Sequence, residues 1–119
     1  MDNGITGLAA VAVDSADPHE LAMFWQQLLG GEVVDDEDGD TMLSGGLADV
    51  IFMRVAEPKT AKNRVHLDLR AADHRAAVEF ALRAGATRAD DVYVGPRWQV
   101  LRDPEGNELC LTDDGEDPR

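Results

Sequence analysis

The sequence predicts an α+β protein made of two tandem βαβββ modules. Three observations carry this: two amphipathic helical stripes that each end in a glycine, short strand-like pieces around them, and a match of the two halves under a shift of 56 residues. With 119 residues, 44% of them apolar, the chain has the length and composition of one domain with a core.

The first module spans residues 8–55. Leu8-Ala9-Ala10-Val11-Ala12-Val13 reads as a largely buried strand. Asp17-Pro18-His19-Glu20 then starts a helix: Asp17 can accept from first-turn amides, and Pro18 is preset for the first helical position. Leu21, Phe24, Trp25, Leu28 and Leu29 form one apolar stripe before Gly30 stops the helix. Strand-like pieces follow around Val33-Val34, around Thr41-Met42-Leu43, and over Asp49 to Val55, separated by Asp38-Gly39 and Gly45-Gly46.

A polar connector over 56–63 leads to the second module, 64–112, which precedes an acidic tail over 113–119. Arg64-Val65-His66-Leu67-Asp68-Leu69 alternates as a two-faced strand should. If Val65 and Leu67 pack under a helix, His66 and Asp68 point to the opposite face. Asp73 caps that helix, Ala77, Phe80, Ala81 and Ala84 form its stripe, and Gly85 ends it. Strands are predicted around Thr87-Arg88-Ala89, over Trp98 to Leu101, and over Glu108 to Thr112 after the turn Asp103-Pro104-Glu105-Gly106-Asn107. The 56-residue shift places Asp17 on Asp73, Phe24 on Phe80, Val11 on Leu67 and Val13 on Leu69.

Composition narrows the function classes. A formal charge of −13, with the 11 basic residues scattered, disfavours nucleic acid and anionic membrane surfaces, whereas a neutral or cationic small molecule is less opposed. Solubility alone also explains the acidity. No apolar run approaches the roughly 18 residues of a bilayer span. The start, Met1-Asp2-Asn3-Gly4, lacks a basic region before an apolar core, so the expected location is cytoplasmic. The single cysteine, Cys110, excludes an intrachain disulfide and a multi-thiolate zinc site.

Two acidic motifs read as structural. Aligning Gly39 of Asp35-Asp36-Glu37-Asp38-Gly39-Asp40 with the glycine of a calcium loop puts Val34 first and Gly45 last, so that template fails and a solvated hairpin tip remains. The glycine pairs lack phosphate-loop spacing.

Asp17-Pro18 followed by Phe24-Trp25, the segment Val65-His66-Leu67-Asp68-Leu69, and Asp103-Pro104-Glu105-Gly106-Asn107 before a last strand resemble the vicinal oxygen chelate superfamily. Its members include glyoxalase I, extradiol dioxygenases and bleomycin-resistance proteins, and the likeness is closest to small glyoxalase-like domains. The resemblance implies curved mixed sheets enclosing a cavity, often in a homodimer, and in active members a divalent ion held by His, Gln and Glu.

Carried over, the first module's ligand positions fall on Ala10 and at or near Met53, neither suited to a hard cation. The second module keeps His66 and places Cys110 at the closing Glu position, with Glu108 two residues earlier on the same face. The resemblance therefore implies a small-molecule-binding protein, with sequestration as one role open to it, no cofactor and an incomplete metal set. The alternative is a divalent-metal lyase, isomerase or dioxygenase using His66.

The candidate ligand-binding residues are His66, Asp68, Trp98, Glu108 and Cys110, with His66 the candidate metal ligand. Each has a plainer reading. His66 can be a structural histidine, Asp68 a salt-bridge partner or the group that orients His66, and Cys110 a small buried apolar residue. Trp98 and Tyr93 can supply flat pocket walls or ordinary packing, while Trp25, Phe24 and Phe80 belong to helix stripes.

Overall fold

A computed structural model describes residues 3–94 and 98–113. The acidic tail from residue 114 onward lies outside them. Backbone contacts divide the chain into two compact units, Met1–Ala56 and Glu57–Arg119.

Each unit runs strand, helix, strands. In the first, β1 (Val11–Ser15), α1 (Pro18–Leu29), β2 (Glu32–Asp35), β3 (Thr41–Ser44) and β4 (Val50–Arg54) give a four-stranded sheet of order β1-β4-β3-β2. In the second, β5 (Leu67–Ala71), α2 (His74–Ala84), β6 (Thr87–Arg88), β7 (Trp98–Arg102) and β8 (Glu108–Asp113) give the order β5-β8-β7-β6. Both sheets are mixed: the opening strand runs parallel to the closing strand and the other pairs are antiparallel. The expected α+β class and tandem modules are present.

The predicted helix signals act as read. The Asp17 carboxylate accepts from the Glu20 amide at 3.4 Å and that of Asp73 from the Ala76 amide at 3.1 Å, each relieving an orphan first-turn donor. Gly30 ends α1 with φ +72° and Gly85 ends α2 with φ +127°, a region costly for a side chain with a Cβ.

In the first unit, Leu21, Ala22, Phe24, Trp25 and Leu29 of α1 are buried, as are Leu43, Val50 and Phe52 of the sheet. Phe24 and Trp25 meet edge to face at 5.6 Å. The acidic hairpin tip is solvated and knitted by Asp36, whose carboxylate accepts from the amides of Asp38 (2.8 Å) and Asp40 (3.0 Å).

Three expectations need correction. Strand β1 starts at Val11, and Leu8 is 85% exposed, because the ladder exists only where β4 supplies partners, from Val11 opposite Val50 to Ser15 opposite Arg54. Val65 likewise precedes β5 and is exposed rather than packed under α2. Phe80 is 45% exposed, although the 56-residue shift lands it on buried Phe24. Helix α1 packs on all four strands of its sheet, whereas α2 packs chiefly on β5 and β8. The narrower contact centres on Val78 and Ala81 and leaves Phe80 at its edge.

Candidate functional site

The second unit's sheet has two faces. Side chains opposite one another in a ladder share a face, and alternate residues along a strand switch. Register sets Asp68 opposite Cys110, Cys110 opposite Val100, and Glu108 opposite Arg102, so these project from one side. Leu101, Leu109 and Leu111 project from the other side and are buried. His66 continues the Asp68 row just before β5.

On the polar side lies a cleft of about 350 Å³, within the usual range for small-ligand pockets. All five sequence-chosen residues, His66, Asp68, Trp98, Glu108 and Cys110, line it. Tyr93 stacks on Trp98 with ring centroids 4.2 Å apart and planes 9° from parallel, which makes a flat apolar wall. Val100, Ala89 and Cys110 form a small buried cluster behind that wall.

The polar groups are paired. His66 Nδ1 and Asp68 Oδ1 are 2.9 Å apart, so the carboxylate orients the ring and leaves Nε2 as the second imidazole nitrogen. Glu108, only 5% exposed, receives the Lys62 ammonium at 2.6 Å and has the Arg102 guanidinium at 3.9 Å. The donor atoms of His66, Asp68 and Cys110 lie within 4.8 Å of one another. Asp68 rather than Glu108 therefore completes that group. Arg102 also forks onto Asp91 with two contacts of 2.8 Å, which lowers the Asp91 carboxyl pKa and raises that of Arg102.

The turn before β8 is structural. Asp103, 3% exposed, accepts from the amides of Glu105 and Asn107, both at 2.9 Å, so its carboxylate is consumed in ordering the chain between β7 and β8.

The first unit carries alkyl groups at the equivalent positions. Val11 opposite Val50 in the first ladder corresponds to Leu67 opposite Leu109 in the second. Asp68 opposite Cys110 then corresponds to Ala12 opposite Ile51, and His66 to Ala10. By register the counterpart of Cys110 is Ile51, two residues before Met53.

Sequence reasoning missed Lys62, Val92 and Val100, which line the cleft, and Arg102, which reaches Glu108. The alternation Trp98-Val100-Arg102 carries a signal for Arg102. Lys62 and Val92 arrive on irregular segments whose course no periodicity encodes.

The architecture defines a two-module α+β protein with a polar, aromatic-walled cleft in its second module. The family model of the glyoxalase-like domain matches residues 10–112, and the chain belongs to that family, within the vicinal oxygen chelate superfamily. Among solved structures, a glyoxalase/bleomycin resistance protein/dioxygenase family enzyme from Burkholderia phytofirmans is 20% identical with a TM-score of 0.69, over 88% of this chain and 96% of that one. The fosfomycin resistance protein FosX from Listeria monocytogenes, solved in one form with Mn(II) and sulfate, is 13% identical with a TM-score of 0.72, over 92% of this chain and 90% of that one. No curated protein matches in sequence. Among the described residues no helix is long and apolar enough to cross a membrane.

Proposed function

We propose that this protein binds a small organic molecule in the second module's cleft, in a sequestering role, as a cytoplasmic homodimer without the full catalytic metal set of its superfamily. The observation that carries the reading is the stacked Tyr93–Trp98 wall facing a cleft of ligand size with the oriented His66–Asp68 pair on its rim. Alkyl groups at Ala10, Ala12 and Ile51 support the loss of ligands at the first module's counterparts of His66, Asp68 and Cys110. The homodimer is supported by that module's sheet side opposite α1, where Val34 and Met53 are at least 40% exposed. Thermal-shift screening with metabolites and metals tests the proposal, since a ligand of the native state raises apparent stability. Purified protein that retained stoichiometric Zn, Ni, Mn or Fe and lost an activity on chelation would overturn it.

A second reading, a divalent-metal lyase, isomerase or dioxygenase, is favoured by one observation: the convergence of His66, Asp68 and Cys110 within 4.8 Å. One imidazole, one carboxylate and one thiol fit a borderline cation such as zinc better than a hard one. Bound there, such an ion would supply Lewis-acid polarisation of substrate oxygens. Asp68 would fix the imidazole, and the Tyr93–Trp98 wall would exclude water from one side. Under this reading His66→Ala abolishes metal retention; unchanged occupancy removes the reading.

A further inference from the structure

We infer that the cleft selects a flat apolar molecule that carries a carboxylate, an inference that rests on the cleft being the ligand site. A second cleft of about 580 Å³ lies in the same unit, and Lys62, Val92 and Glu108 line both. The two clefts therefore adjoin at these three side chains, as two arms. One arm has the aromatic wall of Tyr93 and Trp98, and the other carries Lys59, Lys62 and Arg102.

The charges of the second arm run against those of the chain. The sequence has 24 acidic and 11 basic residues, yet this arm sets three cations against the two carboxylates of Asp91 and Glu108. Within this arm alone the excess is one positive charge, which Asp68 offsets over the two arms together, so the place for an anion is the second arm. The Lys59 ammonium donates to the Ala61 carbonyl and has no carboxylate partner among the described residues. Lys62, with three N–H donors, has capacity beyond its bond to Glu108.

The carboxylates of the two arms are engaged by groups of their own. Asp68 faces His66, Glu108 faces Lys62 and Arg102, and Asp91 is forked by Arg102. The partners of these carboxylates reduce their pull on a cationic ligand, whereas an anionic ligand meets ammonium donors with spare N–H groups directly. Lys59 and Lys62 are themselves exposed, so the preference rests on charge and free N–H donors, and salt should weaken it. The global acidity, which by itself leans toward neutral or cationic ligands, is a poor guide to this site. A ring against Trp98 with its carboxylate reaching Lys59 and Lys62 uses both arms at once.

Calorimetric titration with three matched probes, naphthylpropionate, its primary amide and naphthylpropylamine, tests the inference. The acid is expected to bind about tenfold tighter than the amide, with the amine weakest. Lys59→Gln should bring the acid's affinity down toward the amide's, and added salt should do the same. Trp98→Leu should weaken acid and amide together. An amide or amine that binds as tightly as the acid overturns the carboxylate preference and leaves the cleft standing as a binding site. Failure of all three to bind, or binding that Trp98→Leu does not change, overturns the reading of the cleft itself.

Discussion

Replacing Asp103 by alanine perturbs the turn that sets β7 against β8, and with it the placement of Trp98, Val100, Glu108 and Cys110 in the cleft. The carboxylate accepts from the Glu105 amide and the Asn107 amide, each at 2.9 Å, and from Asn107 Nδ2 at 3.0 and 3.2 Å. Main-chain bonds of the turn survive the change, from the Asp103 amide to the Asn107 carbonyl (2.8 Å) and from the Gly106 amide to the Asp103 carbonyl (2.9 Å). A hydrogen bond to a charged acceptor contributes roughly 1.5–3 kcal/mol. Glu105 and Asn107 are only half-buried, so water recovers part of the loss. The expected cost of Asp103→Ala is about 3 kcal/mol, and Asp103→Asn, which keeps one acceptor oxygen, should lose roughly half of that. Urea unfolding measures both as a shift of midpoint at constant slope. A loss under about 1 kcal/mol for Asp103→Ala would refute the reasoning and assign the turn to the backbone preferences of Pro104 and Gly106.

The two helices give a paired test: Phe24→Ala should cost about 3–5 kcal/mol, and Phe80→Ala should stay within about 0.5 kcal/mol, by the same unfolding assay. Equal costs would contradict the exposed position of Phe80. Removing the α2 cap with Asp73→Ala should cost about 1 kcal/mol, and an unchanged midpoint would deny the cap its role. His19 should titrate above its ordinary value of 6.5, through its hydrogen bond and charge contact with Asp35, whose own pKa is lowered below 3.8. The His19 contribution to stability is then present below its unfolded value and lost as pH rises through the raised folded value. The Asp35 contribution is present above its unfolded value and lost as pH falls through the lowered one. Proton NMR of His19 in wild type and Asp35→Asn measures the coupling, and identical midpoints would contradict it.

Features fixed by short-range chemistry were legible in the sequence. Asp17 and Asp73 cap, Gly30 and Gly85 stop, and the alternation of His66 and Asp68 with Leu67 sorts one strand into two faces, all from neighbours within a turn or two. Leu8 and Val65 were misjudged because an apolar residue becomes part of a strand only where a partner strand continues beside it. Phe80 was misjudged because helical spacing marks a stripe but not the width of the sheet beneath it. Within the site, residues on strands could be placed on one face from alternation once the strand order was inferred. Lys59, Lys62 and Val92 could not, since irregular segments meet strands through tertiary packing that no local period records.

The two tryptophans permit the most direct measurement: Trp25 is buried beside Phe24 on α1, and Trp98 lines the cleft. For a compound that raises the thermal midpoint, the two indole N–H resonances should respond differently in a ¹⁵N-resolved NMR titration. The expected result is a saturable shift of the Trp98 signal with Trp25 unmoved. A stabilising compound that left Trp98 in place, or that moved only Trp25, would contradict a ligand site in the second module's cleft.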